Sequence, residues 1–468
     1  MSLLDALLLD PHPFDLWIAY RSDGIKGSGT LNDPYDGSTA ARLDGILSTL
    51  PSGKPVHVHL GPSPRDANGN AIPFLTGGFW ISSSGVVGSA WQPKPNMVLS
   101  GAGREVTVLR LAPGTTSGTH YFAIGASTTT PVDFFELSSL TVDCNLPTNT
   151  AVACGAVRVM GNHVRIRNVK CVNWGSRTTA QPGFVIALII ADPESSSPLL
   201  VADNAGVEDC IAVSPSASNT VTGVVVNILH AGGREVATSV LTQFGRAPFI
   251  RNCFVDCDSP TTPAAEFRAL SMGACKGGIV EGNQVHNTKI GGPYQEVLNT
   301  DEIIVRNNTY RNVIKGPYWN LGVTSSIGVQ RLVVEGNHIQ LIAATATPTP
   351  IGIQVEDRNV VPAPPPYVHG QVVIRNNKIR YVDGASGSFN GYGIDVAGVG
   401  ALIVSDNIAD LAPANPITNK RCGTATYFNN RTPGGVLIRG VDSVTGKKYD
   451  ELETEAEDAL VMGMFNER

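Results

Sequence analysis

"QVVIRNNKIRY", residues 371–381, carries a pattern that returns along the whole chain: a β-branched residue, a polar residue, one of Gly, Asn or Asp, and then, most often, Asn. The copies are "IRNVKC" from Ile166, "VEDCIA" from Val207, "IRNCFV" from Ile250, "VEGNQV" from Val280, "VRNNTY" from Val305, "VEGNHI" from Val334, "IRNNKI" from Ile374 and "VSDNIA" from Val404, with a weaker "LSSLTV" from Leu137. Their spacings are 41, 43, 30, 25, 29, 40 and 30 residues. Helical repeats of fixed length do not vary so widely, whereas a solenoid of constant strands and variable loops does.

The apolar first and last positions and the polar second position fit a strand better than a 3.6-residue period, so each copy reads as a strand. A second strand lies upstream in "GAVRV" from Gly155, "GVVVNI" from Gly223, "IGIQV" from Ile351 and "YGIDV" from Tyr392. The repeat is therefore expected to run strand, turn, strand, turn. Gly, Asn or Asp at the third position tolerates the left-handed backbone that bends one sheet into the next. The Asn that follows can stack on its equivalents one coil away, at ~4.8 Å, as an internal amide ladder. Asn283, Asn308, Asn337, Asn377 and Asn407 are its expected rungs; Val169, Cys210 and Cys253 stand there in earlier coils and should turn the bend apolar.

Composition agrees with a turn-rich folded chain: 468 residues include 50 Gly and 31 Pro, with 42% hydrophobic and 16% charged residues. The formal net charge of -6 arises from 34 basic and 40 acidic residues without a long run of either sign, which gives no footprint for nucleic acid. The longest apolar run, "FVIALIIA" from Phe184, falls far short of the ~20 residues of a membrane-spanning helix, so no membrane insertion is expected. The opening "MSLLDALLLDPHPF" lacks a basic leading region and does not read as a secretory signal; it is expected to form a short amphipathic helix ending before Pro11. The eight cysteines show no metal-ligand spacing, and Cys253 and Cys257 sit too far apart on a strand, ~13 Å, to bridge each other.

These coils resemble the right-handed parallel β-helix of the pectate-lyase-like superfamily, which includes polygalacturonases, alginate-modifying enzymes and viral tailspikes. The stretch "GSGTLNDPYDGSTAARLDGILSTLP" followed by "VHVHLGP" resembles the leading segment of many such proteins, with a capping helix over about 38–50 and a strand ending in Gly-Pro. The expected fold is thus all-β, a solenoid, with residues 1–94 as an N-terminal capping segment, 95–430 as the β-helix and 431–468 as a C-terminal segment. "KKYDELETEAEDALVMGMFNER" has helix-forming composition and is expected to be a helical cap or a protomer contact. The resemblance implies an extracellular or virion-surface setting.

Within that resemblance, a lyase would need an Arg or Lys base with cationic neutralisation of a uronate, and a hydrolase would need paired carboxylates. Outward positions on the upstream strands are Arg158, Asn227, Arg268, Ser271, Glu296, Gln354 and Asp395, with Asp301, Glu356, Asp357 and Arg358 at the following turns. Glu296 and Asp395 lie three coils apart, ~14 Å, too wide for a glycosidase pair. Arg268, Glu296 and Asp301 are the expected catalytic cluster, with a divalent cation such as Ca2+ if the protein is a lyase. Tyr318 and Trp319 in "GPYWN", together with Glu356, Asp357, Arg358 and Asp395, are expected to bind a polysaccharide; "VVPAPPPYVHG" and "SFNGYG", with Phe389 and Tyr392, are further candidates for a carbohydrate groove. The competing expectation is a non-catalytic surface-fibre or tailspike-like subunit, and the assembly state is expected to be monomer or homotrimer.

Overall fold

The computed structural model describes residues 14–442 and 448, apart from 52, 83–84, 115–118, 178–182, 193–199, 214–222, 231–244, 258–267, 274, 297–299, 322–328, 343–349, 358–368, 383–390, 410–416 and 421. The described chain winds as a right-handed parallel β-helix with three faces. The first face is a continuous 14-stranded sheet, running from Tyr35–Asp36 and Phe14–Ala19 through Val56–Leu60 and Met97–Gly101 to Thr424–Phe428, with every pairing parallel. It passes residue 95 without a break. The second face holds short strands such as Thr309–Lys315, His338–Leu341 and Lys378–Tyr381; the third holds Ala153–Met160, Arg268–Met272, Tyr318–Leu321, Ile351–Asp357 and Tyr392–Ala397.

Three strands per coil replace the expected two because each hexapeptide straddles a corner. In "VRNNTY", Val305 and Arg306 end the strand Thr300–Arg306, while Thr309 and Tyr310 begin Thr309–Lys315. The third position cannot continue a pleat: Ser139, Asn168, Asp209, Asn252, Gly282, Asn307, Gly336, Asn376 and Asp406 all have φ between 52° and 69°. That left-handed conformation costs an ordinary L residue ~1–2 kcal/mol, and Gly, Asn and Asp least.

The following Asn lies inside the corner. Asn283 donates from Nδ2 to Asn308 Oδ1 at 2.9 Å, Asn308 to Asn337 at 2.9 Å, Asn337 to Asn377 at 2.9 Å and Asn377 to Asn407 at 3.0 Å. A sixth rung, Asn430, was not expected; it accepts from Asn407 Nδ2 at 2.9 Å. Each rung's Nδ2 also donates to a carbonyl of the preceding coil, as from Asn337 to Val305 O at 3.1 Å. Upstream, Val169, Cys210 and Cys253 are buried at the same corner, and Cys253 N joins the ladder through Asn283 Oδ1 at 2.9 Å. All eight cysteines are free.

The helix Ala40–Ser48 starts at Thr39, whose side chain accepts from Arg42 N, and buries Leu43 and Leu47 in the solenoid core. Its buried Asp44 accepts from Thr76 Oγ1 at 2.7 Å and Gly77 N at 2.8 Å, which fixes the helix on the strand Phe74–Thr76. The expected helix before Pro11 lies outside the described residues. So does nearly all of the expected helix over 447–468; its one described residue, Lys448, forms an isolated antiparallel bridge with Val441 instead. Residues 431–442 do not leave the solenoid, because Val441–Asp442 adds in parallel to Ile417–Lys420. No described helix is long and apolar enough to cross a membrane.

Candidate functional site

On the third face the register lines up Arg158, Ala187, Asn227, Ser271, Tyr294, Tyr318, Gln354, Asp395 and Thr418. Strand alternation sends Ile353, Val355, Ile394 and Val396 into the core, all fully buried, so Gln354, Glu356 and Asp395 project outward. At one place this row condenses into a mixed-charge cluster. Lys315 ends its strand just before the Gly316-Pro317 turn; its Nζ donates to Gln354 Oε1 at 2.7 Å and sits 4.0 Å from the Tyr318 ring centroid. Tyr318 donates its hydroxyl to Glu356 Oε2 at 2.6 Å. Asp395 accepts from Thr418 Oγ1 at 2.8 Å and from Gln354 Nε2 at 3.3 Å.

Burial pushes the Asp395 carboxyl above its ordinary range; the Thr418 and Gln354 hydrogen bonds oppose the shift, the Glu356 charge adds to it, and Lys315 opposes it. A carboxyl whose pKa is raised beside a second carboxyl is a pattern from which acid/base pairs are built. Glu356 and Asp395 are diagonal neighbours on adjacent coils, about 7–8 Å apart at the backbone. Both remain partly open to water.

The residues expected from sequence distribute differently. Arg268 is half-buried at the start of its third-face strand, beside Val224 and Ile290. Glu296 ends Tyr294–Glu296 in register with Asn320, and Asp301 belongs to the first face, where its carboxylate pairs with Lys276 at 2.8 Å. The three thus stem from two faces. Trp319 points inward with 1% of its surface exposed, so it is core and not a stacking platform; alternation forces this once Tyr318 faces outward. Tyr318 is itself 3% exposed, packed on Ile290. Asp357 ends its strand, and its side chain, like Arg358, Phe389 and most of the Pro-rich loop, lies outside the described residues. Lys315 and Thr418 were missed; the signal for Lys315 was its place one residue before the turn leading into Tyr318.

No family model and no curated protein matches the chain. Among solved structures, a mutant tailspike protein of E. coli bacteriophage HK620 in complex with a pentasaccharide aligns at 13% identity and a TM-score of 0.54, over 93% of this chain and 67% of that one. The Dettilon tailspike protein aligns at 11% identity and 0.48, over 84% and 65%; PfbA, a surface adhesin of Streptococcus pneumoniae, at 12% and 0.47, over 93% and 95%. The chain spans about two thirds of the length of the tailspikes it matches. Three parallel faces, left-handed corners and the amide ladder, together with the likeness to the HK620 tailspike structure, give the chain the fold of a right-handed parallel β-helix.

Proposed function

We propose that the protein binds an extended polysaccharide along its third face and hydrolyses it at Glu356 and Asp395. The observation that carries this reading is the geometric pairing of Asp395, held by Thr418 and Gln354, with Glu356, anchored by the Tyr318 hydroxyl on the adjacent coil; burial raises the Asp395 pKa, the direction an acid needs. Asp395 gives its proton to the glycosidic oxygen as the bond to the anomeric carbon breaks, and Glu356 takes a proton from the water that attacks that carbon. Their diagonal placement sets both side chains on the outward side of adjacent coils, and the inverting reaction proposed here requires the ~6.5–9.5 Å between carboxyls into which such a water enters. Lys315 and Gln354 orient the pair and offer hydrogen bonds to sugar hydroxyls. The glycan in the HK620 tailspike complex supports a sugar ligand for the fold.

A glycan array with parallel reducing-end and 235 nm assays tests the proposal. New reducing ends without 235 nm absorbance are expected, and Asp395→Asn and Glu356→Gln should each lower the rate at least ~10²-fold. Absorbance at 235 nm would instead mean a lyase, and the cluster expected from sequence, Arg268, Glu296 and Asp301, with or without Ca2+, would become the place to substitute. Glycan binding without cleavage would leave a binding module.

A second reading, an assembling fibre subunit, has its own observation. On the first face, Phe249, Ile279, Ile304, Val333, Val373 and Ile403 stand in register on the outward side of six successive coils. Beside this apolar stripe runs a charge row, Arg167, Glu208, Arg251, Glu281, Arg306, Glu335 and Arg375, alternating in sign coil by coil. A surface that is apolar and carries both signs in alternation is complementary to a shifted copy of itself.

A further inference from the structure

At the N-terminal end of the first face, "VHVHL" places His57 and His59 on the same outward side of Val56–Leu60, and the parallel neighbour Phe14–Ala19 sets Asp15 opposite His57 and Trp17 opposite His59. Residues two apart on a strand are normally separated by ~6.6 Å. Here the two imidazoles lean together until their ring centroids are 3.7 Å apart, tilted by 34°, and both turn to one carboxylate oxygen. His59 Nε2 lies 2.9 Å and His57 Nδ1 3.9 Å from Asp15 Oδ1, and one ligand atom from each residue falls within 4.8 Å of the others.

We infer that Asp15, His57 and His59 form a binding site for a divalent transition metal of the zinc class, with its remaining coordination open to water. Tetrahedral zinc with bonds of ~2.0–2.1 Å sets neighbouring ligand atoms ~3.3 Å apart, between the two separations seen here. Two neutral imidazoles and one carboxylate suit zinc and its neighbours, whereas Ca2+ and Mg2+ require oxygen donors. A second contact points the same way. Ser100 Oγ lies 2.8 Å from His57 Nε2, and a proton held there leaves the Nδ1 lone pair facing Asp15, as an outer partner does for a ligating histidine. Trp17 stacks on His59 at 4.1 Å and 11°, fixing that ring as well.

The test is zinc calorimetry on the full chain, tag-free and stripped with EDTA, alongside visible spectroscopy with Co2+. One Zn2+ per chain with a dissociation constant below ~10 µM is expected, with Co2+ giving the intense bands of a low-coordinate site. His57→Gln and His59→Gln should each weaken zinc at least ~100-fold, and Ser100→Ala about 10-fold. Asp15→Asn lies at an exposed position and keeps the fold safe; it too should weaken zinc at least ~100-fold. Zinc binding that survives undiminished in Asp15→Asn and in both histidine variants, or wild-type chain that takes up no zinc at 100 µM, would overturn the site.

Discussion

Asn337 accepts from both the backbone N and the Nδ2 of Asn308, at 3.0 and 2.9 Å, whereas Asn283 at the head of the ladder accepts only from the backbone N of Cys253. Both rungs are fully buried and bonded forward to the next amide, and Asn337 Nδ2 donates in addition to Glu335 O at 3.1 Å. Replacing Asn337 by Leu strands one more buried N–H than replacing Asn283, and an orphaned buried donor costs ~1–3 kcal/mol. Urea midpoints should therefore fall further for Asn337→Leu than for Asn283→Leu. Equal losses would mean that the amides do not act as a ladder.

The corners allow a sharper comparison at one exposed position. Asn376 has φ 57°. Asn376→Gly keeps that conformation accessible and should stay within ~0.5 kcal/mol of wild type, while Asn376→Val should lose ~1–2 kcal/mol or more, since a β-branched residue resists the left-handed region. A neutral valine variant in chemical denaturation would contradict the corner geometry.

Asp395 predicts a pH signature that is independent of any substrate. Its folded-state pKa is raised from the ordinary 3.8, so its contribution to stability is full below that value and is lost as pH rises through the folded value. Asp395→Asn does not titrate. The stability of the variant relative to wild type should thus be more favourable at pH 7 than at pH 4, read from denaturation midpoints at both. The opposite trend would show that folding does not raise the Asp395 pKa, and the proposed acid would be lost with it.

The apolar stripe predicts an oligomer. Light scattering should give a multiple of the single-chain mass, and Ile304→Lys, at a half-buried position in the middle of the stripe, should return it to one chain without loss of β-structure. Gln371→Lys, exposed on the same face two residues from the stripe, is the control and should leave the assembly intact. A single-chain wild type would remove the fibre reading.

What the sequence showed clearly was whatever repeats in every coil. The hexapeptide located the corners because left-handed backbone admits few residue types, and it located the rungs because a side-chain amide offers two donors and an acceptor in one plane, so it can bond along a stack and to the backbone at once. Outward positions on the third face were legible too: Arg158, Asn227, Ser271, Gln354 and Asp395 do fall in one register. The site was less legible because it depends on which face a strand joins and on single-residue parity. Tyr318 and Trp319 are adjacent, so one had to enter the core, and local sequence did not say which. Asp301 lies only five positions after Glu296, yet its strand, Thr300–Arg306, belongs to another face. Lys315 comes from a second-face strand that runs on to the next corner, a contact made across faces and not along one.

The ladder also makes coils interchangeable. Every rung from Asn283 to Asn407 presents the same backbone N–H and Nδ2 forward and the same Oδ1 backward, at separations that differ by no more than 0.2 Å, although the loops between them differ widely in length. Excising residues 308 to 336 would set Asn337 behind Asn283 and recreate the rung that Asn308 had made. The inner corner therefore works as a standard joint: a gene encoding such a chain can shorten or lengthen by whole coils, and alter the loops that meet a ligand, without the join having to be reinvented.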